Sequence, residues 1–122
     1  MSTTTQTNTP LEVVSTYHAA WTGGDLDAAS DLLADDLVVH APGYELVGKD
    51  AYREYLGGFM EIMTGHTPLA EVHDDEQVVL VYFPHTPVTK TVPVAERFTL
   101  SDGKIKEIYL LFDRQSYEPP SE

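Results

Sequence analysis

The spacing of apolar residues changes once along the 122-residue chain, and this change limits the folds that the chain can adopt. Before Pro68, apolar residues recur mainly at intervals of three and four, which places them on one face of an α-helix. From Pro68 onward they alternate with polar residues, the period of a half-buried β-strand. Helices followed by strands predict an α+β domain in which the helices cover one face of an antiparallel sheet.

Three helices and one short strand are predicted in the first half. Thr9 followed by Pro10 is typical of a helix N-terminus, and this first helix is predicted to end at Gly23 and Gly24. Asp25 is predicted to cap the next helix. The remaining elements of this half are a helix at Leu26–Leu33, a strand at Leu37–Ala41, a loop through Gly48, and a helix that Asp50 caps and that continues to Met63.

The second half predicts four strands and a tight hairpin turn. The pair Asp102-Gly103, within Ser101–Lys104, is typical of a two-residue turn between antiparallel strands. Polar tails at residues 1–9 and 118–122 leave residues 10–117 as a single domain. The predicted strands are Leu69–His73, Gln77–Phe83, Lys90–Leu100 and Lys104–Phe112.

Charge and composition exclude several classes of partner. The chain has 20 acidic and 7 basic residues, a formal charge of −13, which argues against binding to nucleic acid or to an anionic membrane. It has no cysteine, so disulfides and cysteine-ligated metals are excluded, and the five histidines show no spacing typical of a metal site. No metal or cofactor is expected. A polar start and no long apolar run predict a soluble, cytoplasmic protein.

Two stretches resemble a known superfamily. The stretch Val13–Pro42 reads VVSTYHAAWTGGDLDAASDLLADDLVVHAP, and Ala95–Asp113 reads AERFTLSDGKIKEIYLLFD. They resemble the opening and the closing hairpin of the nuclear transport factor 2-like superfamily, and within it the ketosteroid isomerases and SnoaL-like polyketide cyclases. The resemblance implies a cone of three helices on a curved, mostly antiparallel sheet. It also implies a small hydrophobic ligand and a cofactor-independent isomerase or cyclase acting on a carbonyl compound of polyketide or steroid type.

The resemblance assigns catalytic roles to two residues of this chain, whereas the residue at the third catalytic position does not match. Tyr17 corresponds to the oxyanion-hole tyrosine of ketosteroid isomerase, and Glu96 corresponds to its protonated carboxylic acid. Glu96 alternates with apolar neighbours, so burial is expected to raise its pKa and to suit it to hydrogen-bond donation or to proton transfer. The position of the general base is occupied by Ala41, which cannot accept a proton. His40 is the nearest candidate replacement.

Apolar and aromatic residues on the predicted inner faces are expected to line the hollow and to contact the ligand. These residues are Trp21, Tyr55, Phe59, Met63, Tyr82, Phe98, Leu110 and Phe112. Outward apolar residues such as Val79, Val81 and Leu111 predict a homodimer through the outer sheet face.

Three functions remain open at this point. The first is the isomerase or cyclase, with Tyr17 and Glu96 acting on an enolate. The second is a non-catalytic pocket that binds or carries an apolar ligand, which Ala41 favours directly. The third, a protein-interaction module, has less support because the sequence contains no specific docking motif.

Overall fold

The computed structural model describes residues 9–113, which form three helices on an open, curved sheet of six strands. The strand order is β2-β1-β6-β5-β4-β3, and all neighbours are antiparallel except β1 and β6, which are parallel. This arrangement confirms the predicted α+β class. The elements are α1 (Pro10–Thr22), α2 (Leu26–Ser30), β1 (Leu33–Ala41), β2 (Tyr44–Val47), α3 (Lys49–Ile62), β3 (Gly65–His73), β4 (Gln77–His85), β5 (Val94–Ser101) and β6 (Lys104–Leu111).

The start of α1 is as predicted. The hydroxyl of Thr9 accepts a hydrogen bond from the Glu12 amide at 3.2 Å, and the Glu12 carboxylate accepts one from the Thr9 amide at 3.0 Å. These reciprocal bonds satisfy two amides that the helix itself leaves unpaired. From this start, α1 turns one face inward and buries its four core residues, Val13, Val14, Tyr17 and Trp21.

The boundary between α2 and β1 differs from the prediction. α2 ends at Ser30, and β1 begins at Leu33, four residues earlier than the sequence pattern suggests. Leu33 is buried and pairs with Ile105 of β6, whose amide donates to the Leu32 carbonyl at 2.8 Å. Pairing with a strand far along the chain therefore draws these leucines out of the helix and into the sheet.

Other boundaries also move. The predicted loop before Gly48 contains β2, which forms a hairpin with β1. Gly48, not Asp50, precedes α3, and it has a positive φ of 96° that favours glycine. β3 begins earlier than predicted, at Gly65, and β5 begins later, at Val94. The predicted tails lie almost wholly outside the described residues.

The two faces of the sheet have different environments. β4 alternates strictly, with Val78, Leu80 and Tyr82 buried and the residues between them partly exposed. On the outer face, Val72 and Leu111 are each 59% exposed. Within residues 9–113, no helix is both long and apolar enough to cross a bilayer.

The hairpin turn between β5 and β6 is confirmed. Asp102 and Gly103 both have positive φ, at 53° and 78°, the backbone geometry that matches the twist of the two strands. Apart from the adjoining backbone, no heavy atom lies within 4 Å of the position that a Cβ would take at Gly103, and the same holds for Gly58 within α3. The two sites differ in backbone conformation and share open surroundings.

Alanine at these two glycines should have opposite effects on stability. Gly103→Ala forces a side chain into the left-handed region and should lower the free energy of unfolding by about 1–2 kcal/mol. Gly58→Ala replaces glycine in a helix and should raise it by roughly 0.5–1 kcal/mol. Urea unfolding of the two variants measures both values. Equal destabilisation by both would contradict the conformational explanation.

Candidate ligand cavity

A cavity of about 270 Å³ lies between the helices and the inner face of the sheet. α1 and α3 form one side, and β4, β5 and β6 form the other. The lining is mostly aromatic and aliphatic, which suits a flat apolar ligand. The lining residues are Trp21, Tyr52, Tyr55, Leu56, Phe59, Ile62, Tyr82, Val94, Glu96, Leu110 and Phe112.

Most of the predicted contact residues lie on this lining. Six of the eight do so: Trp21, Tyr55, Phe59, Tyr82, Leu110 and Phe112. The other two pack in the core instead. Phe98 is fully buried with its ring 5.7 Å from that of Tyr17, and Met63, which caps the C-terminus of α3, packs against the core cluster.

Glu96 places a carboxyl group in this apolar lining. It is 2% exposed, and its partners across the sheet, Leu80 and Leu110, are buried apolar residues. Its Oε1 atom has no hydrogen-bond partner among the described residues, while the Tyr82 side chain hydrogen-bonds to the carboxyl. Burial raises the pKa of Glu96 from 4.5 to about 8, and the bond from Tyr82 offsets part of this rise. Glu96 is therefore mostly protonated at neutral pH.

Two tyrosine hydroxyls form a buried pair beside Glu96. The Tyr17 and Tyr52 hydroxyl oxygens are 2.7 Å apart, and either hydroxyl can donate. Burial raises the pKa of both phenols well above 10, and Glu96 adds to this effect. Both phenols are therefore neutral donors at physiological pH. Tyr52 lines the cavity, whereas Tyr17 lies outside the lining and hydrogen-bonds to the Tyr52 hydroxyl.

Tyr52 was not among the predicted site residues. The helical spacing identifies it as a core residue, since it lies one turn before Leu56 on the same face of α3. Its pairing with Tyr17 joins two helices across 35 positions of sequence. No local sequence pattern therefore indicates that Tyr52 pairs with Tyr17.

His40 lies outside the cavity lining. Its Nδ1 is 2.7 Å from the Glu45 carboxylate and its Nε2 is 2.8 Å from the Glu107 carboxylate, while its ring stacks on Tyr109. The hydrogen bond to Glu107 is the main cause that raises the pKa of His40. Because ionised carboxylates only accept hydrogen bonds, the two carboxylates favour the imidazolium form of His40, in which both ring nitrogens donate.

A second histidine, His18, packs near the cavity. Its ring centroid lies 4.7 Å from that of Tyr82 and 5.2 Å from that of Trp21. Burial is the main cause that lowers its pKa to about 4, so it is neutral at physiological pH. Across residues 9–113, no three His, Cys, Asp or Glu side chains form a group that could hold a metal ion.

The comparisons agree with this architecture. Residues 14–108 match the SnoaL-like domain family. A protein from Kribbella flavida DSM 17836 is 34% identical, with a TM-score of 0.85 over 95% of this chain and 92% of that chain. Among curated proteins, none has a sequence that matches this chain.

Two more distant structures share the fold. A steroid delta-isomerase from Pseudomonas aeruginosa is 16% identical, with a TM-score of 0.74 over 85% of this chain and 79% of that chain. A candidate polyketide cyclase from Sinorhizobium meliloti is 22% identical, with a TM-score of 0.73 over 82% of this chain and 94% of that chain. These matches confirm the predicted nuclear transport factor 2-like fold.

Glu96→Gln should remove a pH dependence of stability. The unfolded chain releases the Glu96 proton near pH 4.5, whereas the folded chain keeps it up to about pH 8. Stability from the buried neutral carboxyl is therefore fully present below the lower value and is lost as pH rises to the upper one, by at most about 1.4 kcal/mol per pH unit. Urea unfolding at several pH values should show wild type losing stability relative to Glu96→Gln over this range.

Glu54→Gln, at an exposed position of α3, controls for the loss of one acidic side chain. If the difference between wild type and Glu96→Gln were constant with pH, Glu96 would ionise equally well in the folded and unfolded chains.

Proposed function

The chain belongs to the SnoaL-like domain family, and from this premise we propose that it is a cofactor-independent isomerase or cyclase. Its substrate is a small hydrophobic carbonyl compound, and its reaction moves a proton at the carbon next to the carbonyl. One observation carries the proposal: a buried carboxyl group with an unpartnered oxygen lies on the lining of an aromatic cavity.

Glu96 is the proposed proton acceptor. It is the carboxyl-bearing residue of the lining, and the family position of the general base is occupied by Ala41. With a pKa of about 8, roughly one tenth of the carboxyl is ionised at pH 7, and that fraction is a stronger base than an ordinary carboxylate. The carboxylate takes the proton from carbon, the electron pair moves to the carbonyl oxygen, and the carboxylic acid returns the proton to another carbon.

Tyr52 is the proposed donor to the carbonyl oxygen. Tyr52 belongs to the cavity lining, and a neutral phenol can donate to the enolate oxygen that forms when the proton leaves carbon. Tyr17 then acts as a positioning residue because its hydroxyl is 2.7 Å from that of Tyr52. The resemblance to ketosteroid isomerase assigns the enolate contact to Tyr17. The cavity lining includes Tyr52 and not Tyr17, which favours Tyr52 for this contact.

The names of the distant structural relatives support the same reaction class. One is a steroid delta-isomerase and another is a candidate polyketide cyclase, and both names describe chemistry on hydrophobic compounds. At 16% and 22% identity they share the fold with this chain, so the residues of the cavity carry the argument for activity.

A ligand carrier of the same fold is the second candidate function. It is favoured by Ala41 at the base position and by the predominantly protonated state of Glu96 at neutral pH. A protonated carboxyl in an apolar cavity can bind a ligand oxygen and perform no chemistry.

Hydrogen exchange on a ketone should separate the two functions. In deuterium oxide, the chain should catalyse deuterium uptake at the carbon next to the carbonyl of a bicyclic ketone such as tetralone. Glu96→Gln should slow this uptake on the order of a hundredfold because it removes the base. The uptake is measured by mass spectrometry, and Glu54→Gln is the matched control that should retain activity.

The pH profile tests the assignment of Glu96 as base. The rate above that of Glu96→Gln should rise with pH and level off above about 8, as the carboxyl ionises. A rate that falls over this range would instead make Glu96 a hydrogen-bond donor. Binding of ketones without any exchange would favour the carrier.

We also propose that the chain forms a homodimer through the outer sheet face. Val47 is 71% exposed and Leu111 is 59% exposed on this face, and burying them in an interface would be favourable. In sedimentation experiments at micromolar concentration, wild type should be a dimer and Leu111→Lys should be largely monomeric. Val88→Lys, at an exposed loop position, is the control. A monomeric wild type would contradict the proposal.

The cytoplasmic location also stays a prediction.

A further inference from the structure

The indole of Trp21 is a second polar group of the cavity that has no partner within residues 9–113. Trp21 is 2% exposed, lines the cavity, and has no acceptor for its Nε1–H among the described residues. The rings around it belong to His18, Phe59 and Tyr82. An indole nitrogen can only donate, and a buried donor without an acceptor is unfavourable. An oxygen on a bound ligand would satisfy it.

This oxygen is distinct from the reacting carbonyl. The argument rests on the proposed function, in which Glu96 meets a carbon-bound hydrogen and Tyr52 meets the carbonyl oxygen. The Trp21 N–H belongs to α1, whereas those two groups belong to β5 and α3. Since Tyr52 is the donor to the carbonyl oxygen in the proposed function, the indole N–H is left for a second oxygen on the same ligand.

The volume of the cavity limits the size of that ligand. An apolar cavity of about 150 Å³ holds one benzene ring. The cavity here measures about 270 Å³, nearly twice that volume, and it is partly open, so it surrounds two fused rings and leaves the remainder of a four-ring compound outside. Its aromatic side chains favour a flat ring system over a long flexible chain.

We propose that the ligand is a one- or two-ring carbonyl compound that carries a second oxygen, and that the Trp21 indole N–H donates to this oxygen. Trp21 is thus the specificity-determining residue of the cavity. Ligands that lack the second oxygen fill the same space and leave the indole unpaired. Four-ring compounds extend beyond the aromatic lining, so part of their surface stays in water.

The indole signal of Trp21 offers a direct readout. Trp21 is the single tryptophan of the chain, so a nitrogen–proton correlation spectrum contains one indole signal. Saturating hydroxytetralone, which has a ketone and a second oxygen, should move the indole proton downfield. Tetralin, the matched two-ring compound without oxygen, should occupy the cavity without this downfield shift.

Affinity measurements test the same contact through a variant. Calorimetry should show that hydroxytetralone binds wild type about tenfold more tightly than tetralone, the effect expected of one additional hydrogen bond. Trp21→Phe should bind the two ketones equally, so the ratio of their affinities should fall from about ten to about one. A four-ring steroid enone should bind wild type more weakly than hydroxytetralone.

Three results would overturn the inference: an indole signal that does not respond to hydroxytetralone, equal affinities for the two ketones, or tighter binding of the steroid. The first measurement uses wild type alone, so it holds even if Trp21→Phe fails to fold. The inference and the proposed reaction can fail separately. An indole response without deuterium exchange would support the ligand class and contradict the proposed reaction. Exchange without an indole response would support the reaction and contradict the ligand class.

Discussion

The parallel pairing of β1 with β6 is the interaction on which the rest of the structure depends. β1 and β2 form one antiparallel hairpin, and β3 to β6 form a separate antiparallel run. Only the β1–β6 pairing joins them into one sheet, and it does so through buried pairs such as Val39 with Ile108. α3 lies between the two units in the chain and packs against β1, so this pairing also places α3 opposite β4 to β6. The cavity is the space that remains between them.

The buried polar groups divide into satisfied and unsatisfied sets. Tyr17 and Tyr52 share one hydrogen bond that joins two helices, and the hydroxyl that accepts it keeps its own hydrogen for a further acceptor. Among residues 9–113, Glu96, Trp21 and His18 each keep one buried side-chain atom without a partner; the first two line the cavity, whereas His18 packs against Tyr82 outside the lining. Leaving buried polar atoms unpaired lowers stability, and proteins tolerate this mainly where a ligand or a reaction uses them. Two of these three atoms therefore belong to residues that line the cavity, where a bound ligand would meet them.

The sequence predicts what local chemistry determines and misses what distant pairing determines. Thr9 with Glu12 and Asp102 with Gly103 carry their signals within four residues, and both features are confirmed. Strict alternation in β5 likewise turns Glu96 inward, as predicted. By contrast, Leu33 joins the sheet through a strand more than 70 positions away. The carboxylate of Glu107, which holds His40 outside the cavity, is 67 positions from it. The volume of the cavity depends on how all these elements pack, and no single segment encodes it.

Stability and the proposed chemistry respond to pH in opposite directions. The folded pKa of Glu96 lies above its unfolded value, and that of His40 is also raised, so both groups contribute stability that is present at low pH and lost as pH rises. His40 is partly exposed, so its contribution to this pH-dependent stability is limited by solvent, whereas Glu96 is buried. Proton abstraction, however, requires the ionised carboxylate. The ionised form of Glu96 that would abstract the proton is thus the form that the apolar interior disfavours. The burial that makes this carboxylate a stronger base also lowers the stability of the fold at the pH where the carboxylate forms.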